Sequence, residues 1–400
     1  MECLAEVKYS SKTYALRQVG DFDISRQFPQ DTFSQLYSCH FDNSIKMTSK
    51  RDSLPFSFKA LETTNPLLKD FSGYEKLLSR VIPGNWLVQH DFEESYASEI
   101  YNLELRDDDV WIITYPKSGT TWMQCILWLL LNDYEFPENQ HLDDVSPHLE
   151  LTQGMSKKWI RSLLSSKYHD LEEGDPLRAY AKEFLENLDQ TPIDLANNLP
   201  ANKRRLIKSH LPFALLPPKI LERNKVVFVA RDPRDILISY YHHMSLMKDS
   251  NFTGEFKDFF KYFICDEVVP GPYWEYMKQA YQYVDHPNVI YVHFSDMKQD
   301  LHNVIHDVVG FLDLQVANDD VQNILEKVSI ESMRNNLSVD NSKIMIQLGL
   351  FNENKGTFIR EGKIGGWKNI LTKEMKDKMD KWTKKSTIGT NLPLEKLYPH

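Results

Sequence analysis

The 400-residue chain reads as a single α/β domain. A central parallel sheet is flanked by helices and carries a strand–loop–helix of the kind that P-loop kinase-like folds use to bind phosphate. Three observations predict this. Short apolar runs bounded by turn signals recur at 110–114, 205–208, 225–230 and 289–294, the pattern of buried strands. Helical patterns lie between them, including 121–131 and 233–247, and strands that alternate with helices argue for a parallel sheet. The first strand also passes through TYPKSGTTW, residues 114–122, straight into the apolar run MQCILWLLL.

Taken in chain order, residues 1–65 are polar and weakly periodic, and are expected to be a flexible N-terminal extension. The remainder, 66–400, is expected to be one folded domain. FSGYEKLLSRVIPGNWL suggests a short helix ended by Pro83-Gly84. The helix-rich stretch 150–200 separates the first strand from the second. It reads equally as a lid over a ligand site or as an extra structural layer.

Composition narrows the partners. Apolar and charged contents of 42% and 26% are ordinary for a globular protein. A net charge of −10 repels nucleic acid and anionic lipid. Individually placed Lys and Arg residues are therefore more informative than the total. Cys3, Cys39, Cys125 and Cys265 are scattered, without a C-x-x-C pair. That argues against a disulfide framework or a zinc knuckle and fits a reducing compartment. No run approaches the roughly 20 apolar residues of a membrane span, and no apolar core of a signal peptide is visible. A cytoplasmic location is expected.

The loop Lys117-Ser118-Gly119-Thr120-Thr121 opens onto a helix N-terminus, where unpaired N–H groups and the positive end of the dipole favour an anion. Gly119 permits close backbone approach, the three hydroxyls add donors, and Lys117 adds charge. A Walker A loop places Lys after its second Gly. Here Lys precedes the only Gly, so phosphate chemistry of another kind is indicated. Trp122 reads equally as a base-stacking platform or as core.

Two further segments point to an anion and a third to a base. KVVFVARDPRDILISYYHH, 225–243, is again strand, turn and helix. It puts Arg231 at a strand end, where α/β folds place ligands, with Ser239 in the following helix. Arg231 could grip a second phosphate or pair with Asp232 or Asp235. FIREGKIGGWK, 358–368, is a glycine-rich basic loop that reads as a flap or as plain surface. RRLIKSHLPF ends a strand in Lys208-Ser209-His210. An imidazole there can act as a base near neutral pH.

Together, TYPKSGTTW, RLIKSHLP, VFVARDPRDILISYYHH and RxGxxGGWK resemble the cytosolic sulfotransferase family, in the family order and over roughly residues 80 to 385. IPGNWL and the mid-chain insertion look most like arthropod members, to which retinol dehydratase is related. The resemblance implies a metal-free enzyme that moves the sulfuryl group of 3′-phosphoadenosine 5′-phosphosulfate (PAPS) to a hydroxyl or amine of a small molecule such as a phenol, steroid or other alcohol. The product nucleotide would be adenosine 3′,5′-bisphosphate (PAP). It implies His210 as base, with Lys117 and Lys208 near the reacting group. The 5′-phosphosulfate would lie on Lys117, Ser118, Gly119, Thr120 and Thr121, and adenine on Trp122. Arg231, Ser239, Arg360 and Gly362 would take the 3′-phosphate, and Phe294 and Ser329 would lie beside the nucleotide.

The chain departs from that pattern in places. Glu361 stands where the family commonly has Lys, Phe294 where Tyr is frequent, and Val328 and Ile330 where Thr and Phe are frequent. Glu361 would repel a 3′-phosphate if it pointed inward. The family's C-terminal dimer motif is partly kept, as Lys368, Thr372, Lys373 and Asp377, leaving a homodimer open. Two alternative readings stand beside the first: a PAPS-dependent dehydratase of the retinol dehydratase kind, and a nucleotide-binding protein with a decayed site.

Overall fold

The computed structural model describes residues 5–9, 12–16, 53–62, 64–74, 78–89, 92–138, 140–150 and 157–399. Nine strands are present among them. The backbones of β1 (Ala5–Tyr9) and β2 (Lys12–Leu16) pair as a hairpin. β3 (Ser57–Ala60), β4 (Leu78–Ile82) and β5 (Trp86–Gln89) form an antiparallel sheet. β6 (Val110–Thr114), β7 (Leu206–Ser209), β8 (Lys225–Ala230) and β9 (Val289–His293) form the central parallel sheet, in the order β7-β6-β8-β9.

Most of the expected extension lies outside the described residues. Its last part is structured: β3 pairs with β4, Ser57 opposite Ile82, and Phe56, Phe58 and Leu61 pack against the core. The expected helix before Pro83 is corrected. Leu78–Ile82 and Trp86–Gln89 are two strands joined by a turn at 83–85. Gly84 at φ 97° and Asn85 at φ 56° take the left-handed backbone that this turn requires. A partner strand well upstream (57–60) overrides the local pattern.

The central strands are buried on both faces, as the apolar runs require. Side chains alternate by two along β6. Val110 and Ile112 join the core under the helix Thr120–Leu131, while Trp111 and Ile113 join the larger core on the other face. At the N-terminal edge, buried Arg205 and Asp109 form a two-pronged ion pair of 2.7 and 2.5 Å. Arg205 also donates to the carbonyls of Ala196 and Glu104, which ties the insertion to the base of the sheet. The insertion is three helices, Lys157–Asp170, Pro176–Asn187 and Pro192–Asn198. Ile160, Leu164 and Ala181 pack with Leu337, Ile344 and Leu348 in a separate apolar cluster.

Candidate active site

The carboxyl ends of β6, β7 and β8 open into one cavity of about 1150 Å³. Every residue that the resemblance gives a catalytic or nucleotide-binding role lines it except Ser118. The insertion supplies one wall, including Trp159, Tyr168, Tyr180 and Phe184. It is therefore both a structural layer and a cover over the site.

The loop after β6 turns because Lys117 adopts φ 67° and Gly119 φ 110°. A Cβ on Gly119 would stand 2.7 Å from Phe294 Cδ2, so only glycine fits. The first backbone bond of the following helix runs from Met123 N–H to Gly119 C=O at 3.0 Å. The N–H groups of 119–122 precede that bond and point to the loop mouth. Thr120 Oγ1 lies 2.6 Å from Thr114 Oγ1. Ser118 does not line the cavity: its side chain is 1% exposed and its Oγ has no partner among the described residues.

Lys117 is a cation in a crowded setting. Its Nζ sits 4.2 Å from the centre of the Phe358 ring. Burial first, then Arg231 and Arg360, bring its pKa down to about 7. An anion in the cavity would restore its charge.

Arg231 makes neither of the ion pairs that the sequence left open. Its Nη1 donates to Lys117 O and its Nη2 to Lys363 O, both at 2.9 Å. Its guanidinium lies 4.2 Å from the Phe294 ring centre. Asp232 is occupied by Arg234 at 2.7 Å. Asp235 accepts from Gly365 N–H at 2.8 Å and Trp367 N–H at 3.3 Å. The glycine-rich segment is thus pinned to the start of the helix Pro233–Leu246. Glu361 lies between Lys363, 3.2 Å away, and Arg360, 3.6 Å away, so its charge is answered within the loop.

Trp122 meets Phe294 edge to face at 5.7 Å, and its buried Nε1 has no partner among the described residues. Ser239 and Gly362 line the cavity. Ser329 does too, with its Oγ accepting from Ser332 N–H at 3.1 Å as a helix cap.

His210 stands at the end of β7. Its Nδ1 lies 2.8 Å from the Thr114 carbonyl oxygen. A carbonyl only accepts, so Nδ1 carries the proton and Nε2 keeps its lone pair. Burial, reinforced by Lys208 and Lys117 and only partly opposed by the Thr114 bond, holds its pKa down to about 3. The imidazole is neutral throughout the neutral range. Lys208 is not a free charge: it pairs with Asp143 Oδ1 at 2.5 Å and donates to Gln124 Oε1 at 3.0 Å.

Sequence reading missed a buried polar layer around His210, made of Asp143, Gln124, His148, Glu150 and His243. His148 packs edge to face on His210 at 4.7 Å. The segment holding it runs beside edge strand β7: Lys208 N–H donates to Pro147 O at 2.9 Å and Leu149 N–H to Lys208 O at 3.0 Å. His148 and Glu150 stand two apart on this extended run, which puts both side chains on one side. That spacing was the available signal.

The described residues hold no His, Cys, Asp or Glu group suited to a metal ion, and no helix among them is long and apolar enough to cross a membrane. The donor set (backbone N–H groups, Lys117, Arg231 and Arg360) fits a nucleotide carrying two separated anionic groups.

Comparison with known proteins gives one answer. Residues 107–391 match the model of the sulfotransferase domain family. A luciferin sulfotransferase of Photinus pyralis is 33% identical over 313 residues, which is 76% of this chain and 79% of that protein. An amine sulfotransferase of Oryctolagus cuniculus is 28% identical over 282 residues, 70% of this chain and 81% of that protein. Among solved structures, retinol dehydratase with retinol and PAP is similar at 28% identity and a TM-score of 0.74, over 84% of this chain and 98% of that one.

Proposed function

This chain belongs to the sulfotransferase family, and from that premise we propose that it transfers the sulfuryl group of PAPS to a hydroxyl or amine of a small acceptor, with His210 as the base. PAPS supplies the activated sulfuryl group. The observation that carries the assignment to His210 is its tautomer: Nδ1–H is fixed on Thr114 O, so Nε2 is free to take the acceptor's proton.

The other roles follow from position. Lys117 and the N–H groups of 119–122 would hold the 5′-phosphosulfate and answer charge on the leaving phosphate. Trp122 and Phe294 would flank the base of the nucleotide. Arg231, Ser239, Arg360 and Gly362 would hold the 3′-phosphate. Lys208, tied to Asp143 and Gln124, would set the potential near the sulfuryl group without gripping it. The test is incubation of the full chain with labelled PAPS and a panel of phenols, steroids, other alcohols and amines. Labelled product is expected. PAP binding with no transfer to any acceptor would support the decayed-site reading instead.

One observation favours a second reading. The insertion lines the cavity with large apolar side chains, and the similar retinol dehydratase was solved with retinol and PAP. Product analysis with retinol separates the two outcomes: a sulfate ester for transfer, an anhydro compound for dehydration.

A further inference from the structure

Glu150 is tied to the base through three donors. Its Oε1 accepts from Ser209 Oγ–H at 2.5 Å, His210 N–H at 2.8 Å and Leu211 N–H at 2.6 Å. Three donors from the exit of β7 therefore converge on a single carboxylate oxygen. With Nδ1 on Thr114 O, they fix both the backbone and the ring of His210.

The other oxygen faces a different partner. Glu150 Oε2 and His148 Nε2 lie 3.4 Å apart. Both atoms are buried, and neither has a hydrogen-bond partner among the described residues. They satisfy each other only when one carries a proton and the other does not. The pair therefore holds one proton and one negative charge when ionised, and is neutral after taking up a second proton. This changeable charge touches the base, since the His148 ring packs on His210 at 4.7 Å.

The charges facing the pair come from several elements. Lys208 comes from β7 and Asp143 from the helix Leu142–Val145, while Lys117, from the loop after β6, faces His210. His243 comes from the helix Pro233–Leu246 and the Tyr276 hydroxyl from the helix Tyr273–Tyr281. Asp143 is already taken up by Lys208. Asp143 answers a positive charge on His210 only while shared with Lys208, and Glu150, bonded to His210 N–H, is the second carboxylate beside it.

We propose that His148 and Glu150 form the positioning and counter-charge unit of His210. Ionised, the pair orients the base and balances the charge that His210 acquires with the acceptor's proton. Protonated, the pair withdraws that balance and turnover falls. Neither residue touches the transferred group, so both are positioning residues. The inference rests on the reading of His210 as base.

The chemistry of the site places this change near neutrality. Burial pushes the Glu150 carboxyl up to about 7 against the pull of its donors, chiefly Ser209 and Leu211. Burial, then Lys208 and His210, holds the His148 imidazole well below its usual range.

The experiment is a pH profile of kcat at saturating PAPS, for wild type, Glu150→Gln and His148→Phe, with PAP affinity measured alongside. Wild type is expected to lose kcat as pH falls through about 7. Glu150→Gln should lose that limb and turn over about tenfold more slowly above it, with PAP affinity unchanged. His148→Phe should move the limb to higher pH, because the carboxylate loses its N–H donor. A Glu150→Gln enzyme that keeps the wild-type limb, or that changes only the KM of the acceptor, overturns the proposal. A wild type that transfers nothing overturns the functional reading. NMR titration of ¹⁵N-labelled imidazoles in the full wild-type chain decides the pair in that case, or if the variants fail to fold. A His148 Nε2 step near the Glu150 midpoint supports it, and no step between about pH 5.5 and 8.5 overturns it.

Discussion

His210 and Lys117 face the same cavity with opposite needs. His210 must be neutral to accept a proton, and burial and the nearby lysines keep it so, while the Thr114 carbonyl fixes which nitrogen carries the proton. His210→Ala is predicted to lower kcat by about 10² to 10⁴ while PAP affinity, read by calorimetry, stays within a few-fold. Lys117 must be charged to hold an anion, yet in the free protein its pKa is brought down to about 7. Phosphate binding favours the charged form and raises that pKa. PAP binding above neutral pH is therefore predicted to take up a proton and to weaken as pH rises through about 7. Calorimetry in two buffers of different ionisation enthalpy measures the uptake. A buffer-independent enthalpy at pH 8 would count against it.

At the scale of elements, the far end of the glycine-rich segment is held by the Asp235 carboxylate. Asp235 accepts from Gly365 N–H and Trp367 N–H, and Trp367 in turn lies under Arg234 at 3.9 Å. Asp235→Ala leaves both donors unmet, a loss of about 1 to 3 kcal/mol. The expected result is weaker PAP binding with a near-normal melting transition, seen by calorimetry and circular dichroism. How much could be read from sequence follows the same division. β6 and β8 were legible because each is an apolar run that needs no partner to be recognised, and the loop between β6 and its helix because Lys, Gly and hydroxyls crowd five positions. The hairpin β4–β5 was not, because its third strand lies upstream in a polar stretch. Nor were His148 and Glu150. They sit some sixty residues from His210 and meet it only through the edge of β7.

At the scale of the molecule, Asp109 and Arg205 join the N-terminal edge of the sheet to the insertion. Arg205 reaches Asp109, Ala196 and Glu104 from a site 2% exposed. Removing one member leaves the other charge buried. Asp109→Ala is predicted to cost about 3 to 5 kcal/mol of stability, measured by denaturant unfolding. Because the pair lies at the opposite edge from His210, acceptor KM in the folded fraction should change little. A loss below about 1 kcal/mol would show that water reaches Arg205.

Arg231 has a consequence in time rather than in strength. Each of its Nη groups gives one N–H to a backbone carbonyl, one in the loop at Lys117 and one in the segment at Lys363, and keeps a second. A nucleotide phosphate that draws the guanidinium toward itself must first loosen a clasp between two remote stretches of chain. One charged bond is exchanged for another, so the toll falls on the rate of entry. Arg231→Lys keeps a charge but loses the fork. The variant should admit PAP faster and release it much faster. Stopped-flow quenching of Trp122 would follow both, and an unchanged association rate would show that the clasp opens before the nucleotide arrives.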